Sequence, residues 1–71
     1  MTNTTMLEQY IENSGYKKSF IAQQIGLTAY SLSRKINNKS EFKAREITAL
    51  CEILKITAKD KEAIFFANRV D

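Results

Sequence analysis

Apolar residues recur three and four positions apart in five stretches of the chain, and they alternate with polar ones over no long run. That period belongs to helices packed by one face and gives no strand. Leu7 and Ile11, with Tyr10 beside them, mark a first helix over about residues 6–14, with Thr5 and Glu8 as its capping box and Gly15 as its C-cap. Ile21, Ala22 and Ile25 mark a second over 18–25, and Leu32 and Ile36 a third over 29–37. The run 37–40, Asn-Asn-Lys-Ser, is a turn rich in side chains that bond their own backbone. Ile47, Leu50 and Leu54 mark a fourth helix over 44–54. Thr57 with Asp60 caps a fifth, from 58 to about 66. The expected fold is all-α: a compact five-helix bundle forming a single domain over 1–71. Its expected core is Leu7, Ile11, Ile21, Ala22, Ile25, Leu32, Ile36, Ile47, Leu50 and Leu54.

Residues 18–37 are the most informative stretch. Two short helical patterns are joined by Gly26-Leu27-Thr28. Helices that cross steeply through so short a turn need a small side chain where they touch, which Ala22 supplies. The turn needs a residue tolerant of positive φ, which is Gly26. Thr28 stands where the third helix needs an N-cap oxygen. This combination is that of a helix-turn-helix, whose second helix enters the DNA major groove.

The same residues resemble the core of the Cro/repressor-type regulators of temperate phages, the xenobiotic-response-element class with a lambda-repressor-like fold. Ser14-Gly15-Tyr16-Lys17-Lys18, Lys35-Ile36-Asn37-Asn38-Lys39-Ser40-Glu41-Phe42 and Ile64-Phe65-Phe66-Ala67 extend the likeness. They look like the small Cro-like proteins of phages of Gram-positive bacteria, and among these the modulator-of-repression proteins of lactic-acid-bacterial phages. The resemblance covers about residues 5–57. One departure stands out. The family buries a hydrophobe three residues after Leu32, where this chain has Lys35 followed by Ile36. A rotated or differently terminated third helix would follow.

Composition narrows the function. With 71 residues the core is too small for an enclosed active-site cavity. There is no His, one Cys and two Gly, so neither a zinc site, nor a Cys–His pair, nor the usual phosphate-cradling loop is expected. No enzymatic activity, metal, cofactor or small-molecule substrate is expected. The apolar runs fall short of a membrane span, residues 1–5 lack a signal-peptide pattern, and a lone cysteine fits a reducing compartment. The expected location is the cytoplasm of a bacterial host. The net charge of +3 is uneven. Residues 1–15 carry only Glu8 and Glu12. Residues 16–45 carry Lys17, Lys18, Arg34, Lys35, Lys39, Lys43 and Arg45 against Glu41 alone, a segment charge of +6. The positive charge thus lies around the two-helix motif, where phosphates would sit, although a solvated basic face with no partner has the same composition.

By resemblance, the base-facing positions of the third helix are Thr28, Ala29, Tyr30, Ser33 and Arg34. Arg34 has the geometry to grip a guanine through two parallel hydrogen bonds, Ser33 suits either base type and Ala29 a thymine methyl. Lys18, Ser31, Lys39 and Lys43 are phosphate candidates. As plain surface residues, all of these would be unremarkable. Phe20 is usually polar in the family, and it either folds back on Tyr16 or joins a protein-binding patch. Ile64, Phe65 and Phe66 are three adjacent apolar residues, at least one of which should be exposed to a partner or a second copy. Cys51 reads as a small core hydrophobe.

Two functions from different classes follow. One is a Cro-like regulator of the lysis–lysogeny switch that binds double-stranded operator DNA through the third helix. The other is a modulator of repression, an antirepressor docking on the phage repressor through Phe20, Tyr30, Arg34, Phe65 and Phe66. A toxin–antitoxin antidote is a weaker third reading, because the chain lacks a toxin-binding tail.

Overall fold

The computed structural model describes residues 1–66. Among them there are five helices and no strand: α1 Thr4–Ser14, α2 Lys18–Gln24, α3 Ala29–Ile36, α4 Ala44–Leu54 and α5 Ala58–Lys61, the last running into a π-turn over Glu62–Phe66. Ala67, the last residue of the stretch quoted for the resemblance, lies outside the described residues.

All ten expected core residues are buried, and Ile56, Ile64 and Phe65 join them. Leu7, Ile21, Leu32, Ile36, Leu50 and Ile64 lose essentially all contact with water. Each such side chain is worth about 1.5–3 kcal/mol of transfer free energy. Half-buried Leu27, Phe42, Cys51, Ile53 and Phe66 pack against this cluster. The Cys51 thiol is pushed up from its ordinary pKa by burial, against a smaller opposing pull from Lys61. It is a packing residue in the protonated form.

Three expectations need correcting. The first helix is capped by Asn3, whose side chain accepts from the Met6 N–H at 3.1 Å, and not by Thr5 with Glu8. Asn, Thr and Thr at 3–5 are all competent caps, and a distant bond selects among them: Asn3 N–H donates to the Ile64 carbonyl at 2.7 Å. Helices two and three stop one residue early, with Ile25 and Asn37 as C-caps. The fifth helix is α-helical only to Lys61. Its continuation as a π-turn, closed by i→i+5 bonds, rotates each residue through less than an α-helix does. Ile64 and Phe65 therefore both reach the core while Phe66 stays half-buried against it. Hence none of the three is exposed, and Phe65 is not available as a partner-binding residue.

The N-terminal segment is tied to the C-terminal end of α3. Asn38 adopts φ +64° and uses its side chain twice on Thr2, accepting from the backbone N–H at 2.8 Å and donating to the carbonyl at 3.0 Å. Thr4 donates its hydroxyl to the Ile36 carbonyl at 2.6 Å. From the middle of α1, the Tyr10 hydroxyl bonds the Asp60 carboxylate, and this bond raises the phenol pKa, with burial adding to it.

Candidate nucleic-acid interface

The α2–turn–α3 unit is built as its sequence requires. Ala22 is buried at the helix crossing, and its carbonyl accepts from Leu27 N–H at 2.8 Å, drawing the turn back over the end of α2. Gly26 holds φ +83°. A side-chain methyl there would stand 3.6 Å from Arg45 Nη1, an ordinary contact, so the backbone angle and not space calls for glycine. The Thr28 side chain accepts from Ser31 N–H at 3.0 Å and starts α3.

From that start, α3 presents Thr28, Ala29, Tyr30 and Arg34 to solvent, with Ser31 and Ser33 half-buried along its flanks. Tyr30 is 72% exposed, and the Arg34 guanidinium lies 6.0 Å from the centre of its ring, within cation–π reach. Arg34 also donates to the Lys39 carbonyl at 3.3 Å, which ties it to the turn that follows α3. The side chains of Lys39 and Lys43 are exposed. A planar cation, a phenol and a helix N-terminus thus share one face, a set able to hydrogen-bond an anion or a base edge.

Two cations counted in the basic segment are already engaged. Lys18 pairs with Glu8 of α1 at 2.9 Å, in a contact about 40% exposed on both sides. Lys35 bonds Glu46 of α4 at 2.6 Å, and these side chains are only 12% and 2% exposed. The open positive charge therefore comes from Lys17, Arg34, Lys39, Lys43 and Arg45.

Glu46 is the one buried charged residue among those described, and it was absent from the expected site and core. Its Oε1 accepts from Lys35 Nζ and from Lys43 N–H at 2.9 Å, so it caps α4 and binds α3 at once. Burial alone would raise its pKa, but the Lys35 ammonium and the Lys43 N–H outweigh burial and hold the carboxyl below its usual range. The signal was present in the sequence. Lys35 lies three residues after Leu32 and Glu46 four before Leu50, so opposite charges occupy stripe positions on consecutive helices.

The remaining candidate, Phe20, stacks on Tyr16 with centroids 5.0 Å apart, while both rings stay more than 40% exposed. It folds back on its neighbour as one of its two readings held. No group of three His, Cys, Asp or Glu residues converges among the described residues, and no described helix is long and apolar enough to cross a membrane.

Small all-helical units of this kind fall into many families. This chain belongs to the family of proteins of unknown function DUF739, whose profile matches residues 3–68. Comparison with curated proteins and with solved structures gave no match.

Proposed function

We propose that the protein is a helix-turn-helix regulator that reads double-stranded operator DNA through α3, as a Cro-like component of a phage lysis–lysogeny switch acting in the host cytoplasm. The observation that carries this reading is the outward set Thr28, Ala29, Tyr30 and Arg34 on one exposed helix, flanked by Lys39 and Lys43. Arg34 is the base reader and the lysines hold phosphates. The test is selection of a preferred duplex from a random library, followed by anisotropy titrations on the selected and random sequences. Arg34→Ala is expected to lose about 1–3 kcal/mol on the selected duplex and much less on random DNA. A wild type that binds no duplex at low salt overturns the reading.

A second reading has its own support. With Lys18 and Lys35 neutralised by internal partners, open charge is scarcer than the sequence suggests, and Tyr30 with Arg34 is a pair of the side chains that anchor protein interfaces. On that reading the same face docks on the phage repressor and modulates its DNA binding. Co-expression with the repressor encoded beside it, followed by size-exclusion chromatography, separates the two: a defined hetero-complex that Arg34→Ala dissolves favours modulation.

A further inference from the structure

Lys35 and Glu46 pose a problem that stability does not solve. Taking an ammonium and a carboxylate out of water costs several kcal/mol, and well-packed apolar residues of similar volume commonly do as well or better. Leucines at these positions would complete the stripes of Leu32–Ile36 and Leu50–Leu54. A hydrogen bond differs from such a contact in having a fixed length and direction. This one runs from α3 to the carboxylate that also caps α4 through Lys43 N–H, so it ties α3 to the first turn of its neighbour. Leu32 and Ile36 are two points on one apolar line, about which a short helix can roll with little loss of burial, and the bond from Thr4 holds only the Ile36 carbonyl, on the backbone close to the helix axis, where a roll moves an atom least. Lys35, beside that line, supplies the third point. With side chains α3 is about 5–6 Å in radius, so a roll of about 20° moves an outward side-chain tip by about 2 Å, beyond what a hydrogen bond tolerates.

We infer that Lys35 and Glu46 are positioning residues that fix the rotation of α3 about its axis, and so decide which of its outward side chains meet the ligand. The ligand part of this inference rests on the proposed DNA-reading function; the rotation part does not. In these terms the departure at Lys35 is a specificity device: Ala29, Tyr30 and Arg34 face outward at an angle set by a bond, and their combination on DNA is set with it.

The test compares wild type with Lys35→Met/Glu46→Leu, which keeps volume and removes the bond. The variant is expected to melt within a few degrees of wild type, because the relief from burying two charges is offset by loss of the Lys43 N–H bond that caps α4. Residual dipolar couplings along α3, referred to α1 and α4, are expected to report a rotated helix. Discrimination between selected and random duplex is expected to fall at least tenfold, with binding to random DNA little changed. Unchanged couplings overturn the inference whatever the protein binds; changed couplings with unchanged discrimination overturn its ligand part. A wild type without DNA affinity defeats the proposed function instead and leaves the couplings to decide the rotation. Should the apolar pair not fold, Lys35→Gln/Glu46→Gln keeps a directed bond without charge. Wild-type couplings are expected there, and a rotated α3 overturns the inference.

Discussion

Two of the seams that hold α3, those with α2 and α4, are made in opposite ways. Against α2 it is held by close apolar contact around Ala22 and by a turn whose backbone angle admits glycine at no steric cost. Against α4 it is held by a charged bond between side chains that are almost out of water. The first seam is specified by volume and fails when volume is added. The second is specified by direction and fails when one partner is removed. One helix thus takes its distance from one neighbour and its angle from the other.

The sharpest break is expected at the charged seam. Lys35→Ala leaves the Glu46 carboxylate buried beside a lone N–H, and loss of one partner of such a pair costs about 3–5 kcal/mol. Denaturant unfolding of the variant measures it, and a cost under 1 kcal/mol would show that water relieves the carboxylate. The same seam has a pH signature. Because the folded protein holds Glu46 below the pKa it has when unfolded, the bond's contribution is complete above the unfolded value. It is lost as pH falls through the folded one. Acid melts of the wild type should therefore lose stability below the ordinary carboxylate range, and the loss should be smaller in Lys35→Met/Glu46→Leu.

The apolar seam is expected to give less. Ala22→Leu overpacks the crossing and should destabilise by about 1–3 kcal/mol. An unchanged thermal melt would mean that the crossing has room that its burial denies. Gly26→Ala should cost about 1–2 kcal/mol through its left-handed angle alone, since the added methyl meets only an ordinary contact with Arg45. A larger loss, read from the same melts, would point to a clash that the geometry does not contain.

What could be read from the chain and what could not divides along the range of the interactions. The α2–α3 unit depends on residues within a few positions of one another, so Ala22, Gly26 and Thr28 declared it, and α4 has the bounds its stripe implied. The Asn3 cap was hidden because the choice among three competent residues is made by Ile64, far along the chain. The π-turn was hidden because period 3.6 was assumed to continue through Glu62–Phe66, where packing of Ile64 and Phe65 favours a wider turn. Lys35 was visible only as a departure from the family pattern, and Glu46 carried no mark of its own in the sequence. Each looked like a surface charge until the partner stripe was placed against it.

The bond between Asn3 and Ile64 also bears on the order in which the molecule assembles. It joins residues almost the whole described length apart, whereas the α2–α3 turn closes over a handful. Loop-closure entropy favours the short circuit, so the two-helix unit can form while the ends are still free, and the clasp between them closes late. Opened again by thermal motion, that clasp would expose the Asn3 amide to exchange well before Leu27, whose N–H is shut inside the turn.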